Sequence, residues 1–109
     1  MRLEAGSLLL VAALNVPSEA TPAVNAAVAD VSRRFAVRAE VVEIERVTWS
    51  DGSLGCPQPD TMYTQALVPG WRIVLAAGSR SFEYHASEGG RVVHCPPGRA
   101  MPGLPDSKT

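Results

Sequence analysis

The sequence lacks most of what would mark an enzyme or a nucleic-acid binder. It has only two cysteines and two histidines, with no Cys-x-x-Cys or His-x-x-x-His pair to clip a metal. No glycine-rich loop introduces a helix, so phosphate cradling has no support. Net charge is −1, which provides no whole-molecule field to attract nucleic acid or an anionic membrane. Arg33 and Arg34 are the only adjacent basic pair and read as a solvated helix face. The apolar run Leu8–Leu14 is far too short to span a bilayer. It has the length of a signal-peptide core, and Ser18-Glu19-Ala20 has a small residue at each end, as a cleavage site does. Only Arg2 is basic and Glu4 precedes the run, so a buried strand or helix is the preferred expectation for this segment.

What the chain does hold is a single domain's worth of residues, 109 with a hydrophobic fraction of 46%, enough for a modest core. Nine glycines and nine prolines fall mostly after residue 50, so turns and short strands are expected to dominate the second half. The stretch "TPAVNAAVADVSRRFAV" is the clearest helix. Thr21 is placed to cap it and Pro22 suits its first turn. Val24, Ala27, Val28, Val31 and Phe35 form one apolar stripe, with Asp30 and Arg34 pairing weakly on the other side. A helix of this length needs a sheet to cover.

Strand signals follow. "AEVVEIERVTW" reads as a strand whose alternation slips near Val41–Val42. "TMYTQALV" and "WRIVLAA" read as two strands joined by Pro69-Gly70. "RSFEYHA" and "RVVHC" are two more, joined through Ser87-Glu88-Gly89-Gly90. A two-residue turn at Gly78-Ser79 sets Leu75 opposite Phe82 and Ile73 opposite Tyr84. Trp71, Ile73, Leu75, Phe82 and Tyr84 then share one face, and Arg72, Val74, Ala76, Ser81, Glu83 and His85 the other. One apolar and one mixed face fit a sheet covered on one side by a helix. The expected fold is α+β, one helix packed on a four- to five-stranded antiparallel meander. It occupies residues 1–96, with residues 1–20 a signal-like or first-strand segment. Residues 97–109 form an irregular or disordered tail rich in proline and glycine.

The chemistry-bearing residues are few. Cys56, His85, His94 and Cys95 could be weighed as a zinc set. His94 and Cys95 are neighbours on a strand and point to opposite faces, so no metal and no cofactor is expected. Cys56 with His85, oriented by Asp51, would be a nucleophilic pair. But Cys56 lies between Gly55 and Pro57, away from a helix start that would favour a thiolate. The preferred reading is a Cys56–Cys95 disulfide: one cysteine lies in a loop, the other ends the last strand, and both adjoin proline. It would close a loop of roughly 40 residues, worth about 4 kcal/mol in the chain-entropy model. A disulfide favours an extracytoplasmic location. His85 reads as a solvated strand residue opposite Arg72, and Trp49 and Trp71 as core or rim aromatics.

The motifs "VTWSDGSLGC" (residues 47–56), "CPQPDTMYTQALVPGWRIVLAAG" and "FEYHASEGGRVVHC" resemble a small family of uncharacterised bacterial proteins, often exported. That family shows a tryptophan, an Asp-x-Ser-Leu-Gly-Cys-Pro-x-Pro loop, a Pro-Gly-aromatic hairpin and a terminal Val-x-Cys-like strand. Ser50 stands where the family more often has proline, and Asp60 where it often has glycine. The resemblance implies the fold and the disulfide, and carries no reaction.

Together these features point to a small non-enzymatic domain that binds a protein or peptide. Its contact surface would be the rigid loop 50–60, through Trp49, Asp51, Ser53, Leu54, Gln58 and Asp60. A loop stiffened by proline and disulfide loses less entropy on binding. A second expectation is a protease inhibitor presenting residues 51–60. A third is an enzyme using Cys56, His85 and Asp51.

Overall fold

The structure, a computed structural model, describes residues 15–105. The segment Leu8–Leu14 lies outside the described residues. The chain enters through a 3-10 turn at Ser18–Ala20 and then forms helix α1, Thr21–Phe35. Five strands follow: β1 Glu40–Trp49, β2 Val68–Ala77, β3 Arg80–Ser87, β4 Val92–Cys95 and β5 Leu104–Pro105. They make one antiparallel sheet in the order β4-β3-β2-β1-β5.

Helix α1 forms where its sequence allows, with Pro22 in the first turn, where a missing N–H costs nothing. The Thr21 cap does not form. The 3-10 turn runs into the helix, so Thr21 is already helical and no side chain caps it among the described residues. At the other end Ala36 adopts φ 57° and its N–H donates to the Ser32 carbonyl, closing the last turn. Ala23, Ala27 and Val31 are buried at four-residue intervals, with Val24, Val28 and Phe35 half-buried beside them. Asp30 lies on this buried face and not on the solvent side. A partner from the sheet makes its burial tolerable: the Tyr84 hydroxyl donates to Asp30 Oδ2 at 2.6 Å.

The hairpin register follows from the turn. Leu75 faces Phe82, Ile73 faces Tyr84, and Gly78 takes φ 63° in the two-residue connection. The break in alternation at Val41–Val42 is a register shift between Val41 and Glu43, which leaves Val42 half exposed. Trp71, Ile73, Leu75, Phe82, Tyr84 and Ala86 pack under α1 as the main core. Each of the large ones contributes about 1.5–3 kcal/mol by burial. Phe35 seals the end of this layer, 4.8 Å from the Phe82 ring and 5.0 Å from His94.

Two expectations about β2 are corrected. Residues 61–67 form no strand, and Pro69-Gly70 is no turn; both residues lie inside β2. Pro69 pairs with Thr48, and its carbonyl accepts from the Glu88 N–H at 3.0 Å, so its missing donor falls at the sheet's end. Gly70 is required by close approach, because a Cβ there would overlap the Ala86 carbonyl oxygen.

The second face of the sheet is covered too. Val47, Trp49 and Leu54 are buried there as a smaller cluster, with Val68 and Val93 half-buried against them. The cover is the connection between β1 and β2, lying back on the sheet. The chain after Cys95 crosses this face as a strap and ends as β5, where Thr48 pairs with Leu104 and Val47 with Pro105.

Candidate binding groove

The connection after β1 is shaped by its own residues first. Asp51 Oδ1 accepts from the Ser53 N–H at 2.8 Å and from the Ser53 hydroxyl at 2.6 Å. These bonds hold the Asp51 carboxyl below the usual carboxylate range. Leu54 and Gly55 then both take positive φ, 57° and 71°. Gly55 has no room for a side chain: a Cβ would sit 2.6 Å from the Trp49 ring and 2.7 Å from the Met101 carbonyl. The loop therefore lies flat on Trp49, whose Nε1 donates to the Ala86 carbonyl at 2.9 Å.

His85 is the pin beneath the loop, which corrects its expected solvent exposure. It sits opposite Arg72 as expected, yet it is fully buried. Its ring stacks on Trp49 at 4.3 Å and 18°. Nδ1 donates to the Leu54 carbonyl at 2.6 Å, and Nε2 lies 2.6 Å from Glu83 Oε2. The loop covers the strand position that alternation left facing outward. Glu83 also accepts from Arg72 Nε at 3.1 Å, and Arg72 Nη1 reaches Glu43 at 2.7 Å. Burial pushes the Glu83 carboxyl up, but the bonds from His85 and Arg72 outweigh it and hold the group below its ordinary value. A cavity of about 290 Å³ lies beside this network, between Glu45, Arg72 and Glu83 and the strap residues 100–103.

Cys56 and Cys95 are bonded, with Cα atoms 5.8 Å apart and both residues buried. Cys56 therefore offers no thiolate, and the ring of His85 is engaged by Leu54 and Glu83 rather than by Asp51. Among the described residues, no group of three or more His, Cys, Asp or Glu is placed to hold a metal ion.

The disulfide shapes the surface above it. Each half-cystine is followed at once by proline. Pro57, Gln58 and Pro59 leave on one side; Pro96, Pro97 and the residues to Met101 leave on the other. Between them runs an open groove of about 670 Å³. The two walls are tied together by the S–S bond and by the Met101 N–H donating to the Gly55 carbonyl at 2.7 Å. The first wall is braced by the Gln58 N–H donating to the Tyr63 hydroxyl at 3.0 Å. The second is braced by the Arg99 N–H donating to the Pro96 carbonyl at 3.2 Å.

The six residues expected to make contact divide sharply. Trp49, Ser53 and Leu54 are buried and support the loop from inside. Asp51 is half-buried and turned onto Ser53, and Asp60 is exposed at φ 58° but does not line the groove. Gln58 alone of the six lines it. Sequence reasoning missed the second wall, because a segment with this much proline and glycine was read only as a tail. A signal for it was present: "CPQP" and "CPPG" each set a proline directly after the half-cystine and a second one within the next two residues.

A family of domains of unknown function, DUF8738, matches residues 24–95. The chain belongs to this family. The DUF8738 match takes in most of α1, strands β1 to β4 and both half-cystines. The Pro57–Pro59 wall lies inside it and the Pro96–Met101 wall just beyond it. No curated protein and no solved structure matches the chain. No helix among the described residues is long and apolar enough to cross a membrane.

Proposed function

We propose that this DUF8738 domain is a non-enzymatic binding module that takes a peptide, or an extended segment of a protein, in the groove between Pro57–Pro59 and Pro96–Met101. The observation that carries this is the origin of both walls at the bonded cysteines. A single covalent link holds the two lips in register, and four prolines limit their backbone freedom. Such a surface loses little conformational entropy when a ligand settles in it. Exposed apolar side chains lie in the groove and beside it, Met101 in the second wall at 55% and Met62 just after the first wall at 96% exposed. We take the domain to act outside the cytoplasm of a bacterium. Support for this is the disulfide, which persists in oxidising compartments, and the resemblance of residues 47–95 to exported bacterial proteins.

A protease-inhibitor role has less support from the geometry. An inhibitor loop is offered extended and exposed, whereas residues 51–55 turn back onto Trp49 with Ser53 and Leu54 buried.

The test is selection of peptides from a random display library on the intact, oxidised protein, followed by mapping of the selected peptides by amide chemical shifts. Shifts concentrated at Gln58 and residues 98–101, the groove positions that carry a backbone N–H, are expected, with loss of binding on reduction of the disulfide. Selected peptides that map elsewhere, or bind equally well after reduction, overturn the proposal.

A further inference from the structure

The groove's chemistry is more selective than its shape. Four of its nine lining residues are prolines, which have no N–H to donate. Three further amides in the lining are already spent: Gln58 on the Tyr63 hydroxyl, Arg99 on Pro96 and Met101 on Gly55. A ligand strand therefore cannot run a regular main-chain ladder along either wall, as it would on an open sheet edge. Recognition falls to side chains. The apolar part is offered by the proline rings and Met101. The polar part is offered by the Gln58 amide and the Arg99 guanidinium.

Arg99 sets the sign. It is the one charged residue lining the groove, it is exposed, and no carboxylate lines the groove with it. It forms no ion pair among the described residues. Glu43, Glu45 and Glu83 are gathered instead around Arg72. Guanidinium pairs with carboxylate through two parallel N–H donors, which adds direction as well as charge.

We infer that the ligand of this groove is an acidic peptide, with an apolar side chain packed against the prolines and Met101 and a carboxylate set against Arg99. This rests on the groove reading above. The carboxylate is an Asp or Glu side chain or a chain terminus, and the two are separated by amidating the terminus.

The experiment uses the intact, oxidised protein and the groove-mapped peptides from the display selection. Each peptide is measured by fluorescence anisotropy beside its Asp→Asn, Glu→Gln and C-terminally amidated forms. Wild type is compared with Arg99→Ala and Arg99→Glu, exposed positions whose replacement leaves the core untouched. The expected result is enrichment of acidic residues in the selected peptides. Neutralising the carboxylate should weaken binding about threefold to tenfold, and Arg99→Ala should do the same. Affinity should fall as salt rises, and Arg99→Glu should prefer a Lys-substituted peptide. Peptides that map to the groove but bind equally well with and without the carboxylate overturn the acidic preference and leave the groove standing. No peptide mapping to the groove overturns both.

Discussion

Tyr84 and Asp30, fifty-four residues apart, share a 2.6 Å hydrogen bond across the interface between sheet and helix. Arg33 Nη2 and Arg34 Nε complete the carboxylate's shell at 2.7 and 3.0 Å. Burial pushes Asp30 up, but these bonds and charges outweigh it and hold its carboxyl below the ordinary range. The same arrangement pushes the buried Tyr84 phenol well above its ordinary value. Tyr84→Phe removes one donor to a charged acceptor and should cost about 1.5–3 kcal/mol in urea melts. A loss within about 0.5 kcal/mol would show that the arginines alone satisfy Asp30.

Acid should destabilise the domain in two stages. His94 sits among Phe35, Phe82 and Tyr84, where burial and the nearby Arg34 charge lower its pKa. A lowered histidine contributes stability that is complete above its unfolded value of about 6.5 and is lost as pH falls through the folded one. Asp30 and Glu83 are also lowered, so their contributions are complete above about pH 4.5 and are lost further down. Melting temperature followed from pH 8 to pH 3 should fall through both windows. His94→Phe should flatten the first, and Asp30→Asn the second.

The disulfide should leave the native protein with no titratable thiol. Reduction, or the double change Cys56→Ser and Cys95→Ser, should lower stability by about 2–5 kcal/mol, since the unfolded chain regains the freedom of a long loop. The core under α1 does not depend on this bond, so the fold should persist. Hydrogen exchange should rise first at residues 51–60 and 96–103. Equal protection before and after reduction would show that Gly55, Met101 and β5 hold the loop and strap unaided.

Two glycines on one hairpin should respond very differently. Gly70→Ala drives a methyl into the Ala86 carbonyl and should cost at least about 3 kcal/mol or prevent folding. Gly78→Ala meets no atom within 4 Å and bears only the penalty of a positive φ, about 1–2 kcal/mol. Thermal melts of the two variants decide it, and equal losses would contradict the close approach.

Leu75 and Ser81 test the two sides of the sheet. Leu75 is fully buried under α1, so Leu75→Ala should cost about 2–5 kcal/mol. Ser81 is exposed, and Ser81→Ala should change stability by less than about 0.5 kcal/mol. Similar small losses in urea would reverse the face assignment.

Local rules sufficed where neighbours in sequence are neighbours in space. The Gly78-Ser79 turn set the β2–β3 register, the broken alternation at Val41–Val42 marked the bulge, and apolar spacing marked α1. The disulfide joins residues 39 apart and was legible for a different reason, that the chain has only two cysteines to pair. Local rules went astray where a distant segment decided the outcome. Period-two alternation put His85 on the outer face of β3, which is correct, but only the folded-back loop turns that face into an interior beside Trp49 and Leu54. Helical spacing put Asp30 beside Arg34, and only the sheet brings Tyr84 to it. Pro69-Gly70 has the composition of a turn, yet the pairing of Thr48 on one side and the Ala86 carbonyl on the other draws both residues into β2. The strap after Cys95 has no pattern of its own. It is placed by the disulfide at one end, by Met101 on Gly55 in the middle and by β5 on β1 at the other. The groove exists only because two proline segments, remote in the chain, start from one covalent bond.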